Sequence, residues 1–183
     1  PRATLTDSNG RYEYKQVPAG AYVVTFDPVM RGTHLRQYFG EVQPADDTDG
    51  SRPPPVTLAD GEVRDDVNGS LARSLAIEGR VLDDLGEPMA YVSVSVQAAG
   101  GAAQRWRESR SSDDRGTFRV FGLKPGEYRV CAEPEWRLEL PRDVRVRPIR
   151  TCYPSAIAVA NAEPIVLTSA DATGIDIRVQ RSR

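Results

Sequence analysis

The sequence contains very little histidine, lysine or cysteine, and these shortages exclude several kinds of site. Its 183 residues include one His and two Cys, and only two of its 24 basic residues are Lys. One His and two Cys leave almost nothing with which to build a typical zinc site. The net charge of −2 gives no basic footprint for nucleic acid. No apolar run approaches the ~20 residues that a membrane-spanning helix needs. Neither nucleic-acid binding nor a membrane span is therefore predicted for this segment.

The single histidine also limits the catalytic chemistry that the sequence can support. His34 has no His-x-x-Glu spacing around it, there is no Gly-x-Ser-x-Gly motif, and a serine triad would have to use this same histidine. Neither cysteine has a second histidine to activate it. We therefore predict that the segment is not an enzyme and has no cofactor or metal. His34 is interpreted as a structural or solvent-facing residue.

Short runs of alternating apolar and polar residues are abundant. Residues 91–96 read Tyr-Val-Ser-Val-Ser-Val, and the same period of two recurs in 21–26, 128–133 and 175–180. This period is typical of half-buried β-strands. The 15 Gly and 14 Pro supply turn signals between the runs. The pattern predicts an antiparallel β-sandwich.

Two kinds of turn separate these runs. Asp7–Gly10, Asp83–Gly86 and Asp113–Gly116 each begin with Asp and end with Gly. This favours a tight turn in which the Asp oxygen accepts backbone N–H groups and the Gly takes a positive φ. Pro18–Gly20 and Lys124–Gly126 place a Pro before a Gly, which is typical of a type II-like corner.

The sequence also repeats itself at the spacing of a whole domain. Thr6–Tyr14 aligns with Ser112–Val120, and Val17–Tyr22 aligns with Leu123–Tyr128, both displaced by 106 residues. The alignment continues with Gln37–Tyr38 on Cys152–Tyr153, Pro55–Leu58 on Pro164–Leu167, and Val67, Leu71, Arg73 and Ser74 on Ile175, Val179, Arg181 and Ser182. A period of about 108 residues fits a complete domain.

The two copies are not equally complete. Ala76–Leu82 and Tyr91–Val96 read as the front two strands of the second copy, and nothing before Thr6 corresponds to them. We therefore predict an incomplete sandwich at 1–73, lacking its first two strands, and a complete sandwich at 74–183. One chain has two back halves but one front pair, so exchange between identical chains cannot complete both. We expect the segment to belong to a longer array.

Part of the sequence resembles the carboxypeptidase regulatory-like domain. The similar residues are Gly79-Arg80-Val81, Gly86-Glu87-Pro88, Val92-Ser93-Val94, Asp113–Phe118 and Gly122–Tyr128. The resemblance covers nearly all of the second copy and the back two-thirds of the pattern in the first. It implies tandem antiparallel Greek-key β-sandwiches of the transthyretin-like type, related to CnaB-type surface domains. It implies little about function, because such domains occur in secreted enzymes, adhesins, outer-membrane receptors and surface arrays.

The two cysteines are interpreted as a pair. Cys131 and Cys152 lie on neighbouring predicted strands, at positions that read as outward-pointing or at an edge. Their equivalents in the first copy are Thr25 and Gln37, so both cysteines are present in one copy and absent from the other. This favours a disulfide over two free thiols. A disulfide implies an oxidising compartment, meaning the cell exterior or the periplasm.

Several candidate contacts have two interpretations. Trp106, Trp136 and Tyr91 would form a sugar-stacking platform if their loops meet, or they are unrelated surface residues. Asp46–Gly50 offers oxygen ligands but lacks the closing Glu of a full calcium loop, so a solvated loop is the alternative. Asn68-Gly69-Ser70 fits a glycosylation sequon, a pattern that is common by chance.

The run Arg142–Arg150 alternates Arg with apolar residues. This pattern suits an edge strand that charge keeps soluble, or a contact with an anionic glycan or another partner. A CnaB-type isopeptide bond is not expected, because the first predicted strand has no Lys and the last has no Asn.

We predict from these patterns a non-enzymatic extracellular structural or adhesive module within a longer tandem-repeat surface protein or filament. Its expected partners are neighbouring sandwiches or copies of itself, with a cell-surface glycan as a further candidate. Two alternatives stay open. One is a carbohydrate-binding accessory module of a secreted enzyme, and the other is a periplasmic N-terminal extension of an outer-membrane receptor.

Overall fold

The computed structural model describes residues 2–30, 32–40, 53–99, 106–134 and 147–182, with the side chains of all but 106–108. The described chain is all-β, as predicted, with one short 3-10 helix at Val159–Asn161. It forms two compact units. The first unit comprises residues 1–27 and 36–71, and the second comprises 28–35 and 72–183.

The described strands of the first unit are short and form two antiparallel pairs. They are β1 (Gly20–Tyr22), β2 (Thr25–Phe26), β3 (Gln37–Tyr38) and β4 (Val56–Leu58). Strand β1 pairs with β4, and β2 pairs with β3. The register places Tyr22 opposite Val56 and Thr25 opposite Tyr38.

The second unit contains eight described strands in two sheets. They are β5 (Leu75–Leu82), β6 (Ser93–Ala98), β7 (Trp106–Ser111), β8 (Thr117–Leu123), β9 (Gly126–Glu133), β10 (Thr151–Cys152), β11 (Ile165–Leu167) and β12 (Ile177–Arg178). One sheet has the order β10-β9-β6-β7, with β11 also paired to β9, and the other has the order β12-β5-β8. The two sheets are those expected of a β-sandwich.

The core of the second unit lies between these two sheets. The alternating residues that the sequence placed on one side of each strand are buried here, because both sheets turn their apolar sides inward. Ile77 and Val81 of β5, and Val94 and Val96 of β6, have no solvent exposure. Phe118 of β8 is 1% exposed. Strands β5 and β6 therefore supply a large share of this core.

The structure departs from the strand predictions at two places. Strand β12 runs parallel to β5, with Ile177 opposite Val81, whereas a fully antiparallel sandwich was expected. Tyr91, predicted as a strand residue, has a φ of 57°, and β6 begins only at Ser93. The left-handed backbone at Tyr91 ends the turn that leads into β6.

The three predicted Asp-x-x-Gly turns are confirmed and have the same hydrogen bonds. In each turn one Asp carboxylate oxygen accepts the N–H groups two and four residues later, at 2.7–2.9 Å. Gly10, Gly86 and Gly116 have φ values of 75°, 87° and 73°, so the Gly is needed at the fourth position. One of the three turns lies in the first unit and two lie in the second.

The two Pro-Gly corners have a different basis from the one predicted. Neither Gly20 nor Gly126 has a positive φ; the left-handed residues are Gln16 and Gly122, four positions earlier in each case. Each corner is instead closed by a tyrosine two residues after the glycine. The Tyr22 hydroxyl donates to the Pro18 carbonyl at 2.7 Å, and the Tyr128 hydroxyl donates to the Lys124 carbonyl at 2.9 Å. Sequence reasoning missed this tyrosine contact.

Candidate functional site

The predicted sugar-contact residues are only partly described. Tyr91 is 73% exposed on the turn before β6. The Trp106 side chain and all of Trp136 lie outside the described residues, so the proposed platform stays a prediction. Asp46–Gly50 and the first part of Arg142–Arg150, residues 142–146, also lie outside them.

Asn68 and His34, both considered in the sequence analysis, are at the surface. Asn68 is exposed, and a Cβ on the following Gly69 would overlap the Phe26 ring. His34 is exposed, and its backbone bridges Arg73 within the second unit. Within the described residues, no group of three or more His, Cys, Asp or Glu side chains could hold a metal ion.

Cys131 and Cys152 form a disulfide between directly opposite residues of β9 and β10. Cys131 lies outside the main core and Cys152 lies on β10 at the end of its sheet, as the expected outward-pointing or edge positions require, but both cysteines are fully buried. They lie outside the main core, in a small cluster with Ala162, and Ala156 and Val159 pack against it. The burial arises because the chain after β10 folds back. The Cys152 and Ala156 backbones exchange two hydrogen bonds of 2.7 Å.

The register also corrects the alignment of the two copies by one residue. Cys131 faces Cys152, while its equivalent Thr25 faces Tyr38 rather than Gln37. Gln37 therefore corresponds to Thr151, and both side chains are buried. The sequence could not show this, because loop lengths between the paired strands differ in the two copies.

Within the described residues, the inward side chains of the first unit are less buried than their equivalents in the second unit. In the second unit, the inward side chains Phe118, Val120, Tyr128 and Val130 are at most 5% exposed. Their equivalents in the first unit are half-buried, or 40% exposed for Tyr14. We call this set of side chains the open face, and it comprises Tyr12, Tyr14, Tyr22, Val24, Phe26 and Leu58; Val56, directly opposite Tyr22, is buried.

Aromatic contacts organise the open face. The Tyr12 ring meets Tyr14 and Phe26 edge-on, with ring centroids 6.1 and 5.9 Å apart. The Tyr12 hydroxyl donates to the Val67 carbonyl at 2.6 Å. Partial burial, and then the neighbouring Tyr14, raise the pKa of Tyr12. The face is thus a defined apolar surface rather than a set of scattered side chains.

The open face is bordered by a strand edge along β1 and β2. In the second unit β9 has β6 as a neighbour on one side and β10 and β11 on the other. In the described part of the first unit, β1 and β2 have neighbours on one side only, β4 and β3. The Phe39 N–H donates to the Val24 carbonyl at 3.0 Å. Because peptide groups alternate along a strand, those of Val23 and Thr25 face the unoccupied side.

A second edge lies along residues 11–15. Their equivalents in the second unit belong to β8, which pairs antiparallel with β5. No strand pairs with 11–15 among the residues that the structure describes. Glu13 and Lys15 form an ion pair of 3.3 Å on this segment, and both side chains are at least 70% exposed. Among the described residues, the open face is therefore bordered by two edges along which no neighbouring strand pairs.

The comparison with protein families bears on the second unit. Residues 76–151 match the family model of the carboxypeptidase regulatory-like domain. This part of the chain is similar to carboxypeptidase regulatory-like domains. Domains of this family are non-catalytic. The chain matches none of the curated proteins with which it was compared.

The matched segment begins on β5 and extends to β10. It thus includes both strands, β5 and β6, that have no counterpart in the described first unit. In the described part of the chain, no helix has the length and hydropathy needed to cross a bilayer.

Proposed function

We propose that this chain is a non-enzymatic extracellular structural module, one stretch of a longer array of β-sandwiches in a surface protein or filament. The observation that carries the proposal is the shared backbone framework of the two units. Each has an Asp-x-x-Gly turn, a tyrosine-closed corner and the same strand register after that corner. Recurrence of one framework along a chain is typical of a modular array.

The bonds of the second unit support the proposed load-bearing role. Arg119 of β8 forms ion pairs with Glu78 and Asp171, at 3.3 and 3.0 Å. Arg80 pairs with Asp176 at 2.8 Å, and this carboxylate raises the Arg80 pKa. These contacts connect β5 to its neighbours on both sides. The buried disulfide adds a covalent link and supports an oxidising location outside the cytoplasm.

The proposal is tested on the parent protein. Peptide mapping of the purified native protein, with electron microscopy, is expected to show further copies of the Asp-x-x-Gly and corner-tyrosine pattern in an elongated particle. A parent protein that joins this chain to a hydrolase, or to a membrane receptor, without further copies would contradict the array.

A carbohydrate-binding accessory module is the second candidate, and one observation favours it. Tyr91 presents a largely exposed ring from a turn with a left-handed backbone. Glycan-array binding that is lost in Tyr91→Ala, Trp106→Ala or Trp136→Ala would support this function. Tyr14→Ala is the matched control, because Tyr14 belongs to the first unit. No binding by the unmodified chain would contradict it.

A further inference from the structure

The second unit shows which strands bury the side chains that are equivalent to those of the open face. Strands β5 and β6 pair with β8 and β9 and place fully buried side chains over the inward residues of those strands. These side chains include Ile77 and Val81 of β5, and Val94 and Val96 of β6. An occupant of the open face therefore needs two strands, each with apolar residues at alternate positions.

Charges along the 11–15 edge specify the occupant further. In the second unit, Glu78 of β5 lies opposite Arg119, with which it forms an ion pair of 3.3 Å. Arg80 lies opposite Thr117. The 106-residue displacement puts Glu13 at the Arg119 position and Arg11 at the Thr117 position.

These two substitutions make the chain's own β5 a poor match for the first unit. A β5 strand supplied by a second copy would put Glu78 opposite Glu13 and Arg80 opposite Arg11. Like charges at directly opposite positions destabilise an antiparallel pair. A strand with the reversed charges, basic opposite Glu13 and acidic opposite Arg11, would make two favourable pairs instead. Residues 75–98 of each copy are, moreover, already part of its own second unit.

We propose that the open face binds a two-stranded β-segment contributed by the parent polypeptide ahead of the first unit. This segment has the apolar alternation of β5 and β6, with a basic residue opposite Glu13 and an acidic residue opposite Arg11. The source of the segment rests on the proposed array; its chemistry rests on the open face and its two edges.

The experiment extends the full chain with a front half of known sequence. A duplicate of residues 74–111 is fused to Thr6 in place of residues 1–5, because Ser112 and Thr6 are equivalent in the repeat. One extension keeps the natural charges. Its matched partner carries Glu78→Lys and Arg80→Glu in the added copy only. Hydrogen exchange is followed by mass spectrometry in peptides covering 11–15 and 22–26.

The charge-reversed extension is expected to slow exchange at Val23 and Thr25 by about tenfold or more, and the natural-charge extension by clearly less. Equal protection by both extensions would overturn the charge pattern. No protection by either extension would overturn the proposal. Reversing both charges on the chain itself, with Glu13→Arg and Arg11→Glu, is expected to make the natural-charge extension the more protective of the two.

Two further measurements separate the source of the strands from the array. Sedimentation of the unmodified chain is expected to show a monomer with fast exchange at 22–26. A dimer with protected 22–26 would identify a second copy as the occupant and overturn the proposal. If the parent holds repeats but lacks the reversed charges ahead of residue 1, this inference fails while the array stands. If the parent has no repeats, the array fails, and protection by the charge-reversed extension still supports the chemistry of the face.

Discussion

The two units have the same turns and corners but differ in burial. Tyr22 and Tyr128 close equivalent corners with hydrogen bonds of 2.7 and 2.9 Å. Nevertheless, Tyr128 is 5% exposed, whereas Tyr22 is half-buried. A corner needs only a few consecutive residues, while a core needs a second apolar layer packed on the first. The same corner geometry is thus present in the first unit, whose described part has no counterpart of β5 and β6, whereas full burial of the tyrosine is found only beside those strands.

The largest expected effect is a test of that difference in burial. Phe118→Ala removes a ring that is 1% exposed and is expected to lower the free energy of unfolding of the second unit by about 3–5 kcal/mol. The equivalent Tyr12→Ala removes a half-buried ring and is expected to cost about 1–2 kcal/mol in the first unit. Tryptophan fluorescence in urea reports the second unit, because both Trp residues lie in it. Hydrogen exchange reports the first. Equal losses of unfolding free energy in Phe118→Ala and Tyr12→Ala would contradict the difference in burial between the two units.

The disulfide should give the next largest effect. The double variant Cys131→Ala with Cys152→Ala opens a link between residues 21 positions apart and is expected to destabilise the second unit by about 3 kcal/mol. Urea unfolding followed by tryptophan fluorescence measures this.

The matched change introduces a disulfide in the first unit. Thr25→Cys with Tyr38→Cys places cysteines at the opposite positions that β2 and β3 provide. On oxidation it is expected to slow hydrogen exchange in the first unit, with the reduced form as control. A failure to cross-link would show that the register of β2 and β3 differs from the one described.

A smaller effect distinguishes two equivalent glycines. A Cβ on Gly116 would lie 2.7 Å from the Val81 carbonyl oxygen of β5, while one on Gly10 would meet nothing within 4 Å. Both φ values are positive, so Gly10→Ala is expected to cost about 1–2 kcal/mol for backbone strain alone. Gly116→Ala is expected to cost a further ~1–3 kcal/mol, because β5 is close. Urea unfolding and hydrogen exchange measure the two units as above. An equal cost would indicate that something covers Gly10 too.

The smallest expected effect concerns the corner tyrosines. Tyr128→Phe removes a partly buried hydrogen bond to the Lys124 carbonyl and is expected to cost about 1 kcal/mol. Tyr22→Phe removes an exposed bond to the Pro18 carbonyl and is expected to cost less, because water can replace the hydroxyl. Thermal unfolding of both variants checks the ranking. A larger cost for Tyr22→Phe would mean that the corner matters more where the core is incomplete.

Much of the local structure could be predicted from the sequence. The Asp and Gly of each tight turn were sufficient to predict that turn, because its hydrogen bonds join residues at most four positions apart. The tyrosine corner was missed, although Tyr22 and Tyr128 stand at matched distances after Gly20 and Gly126, and that recurrence was the available signal. The burial of Cys152 could not be predicted, since it depends on the chain folding back at Ala156.

The open face was predicted only as a missing pair of strands. Its residues and its two edges followed from register and exposure, which alternation alone does not give. A one-residue shift of register moves every side chain to the other side of a strand. The alignment of Gln37 with Cys152, rather than with Thr151, was wrong by such a shift.

The sequence by itself determined the all-β class, the positions of the tight turns and the resemblance of the second copy to the regulatory-like domain. These depend on side-chain period and on contacts between near neighbours in the chain. Only the tertiary structure decided which cysteine side chains are buried, that β12 runs parallel to β5, and which side of β1 and β2 has no neighbouring strand among the described residues. Those properties depend on pairing between residues distant in sequence, which period and turn chemistry leave undetermined.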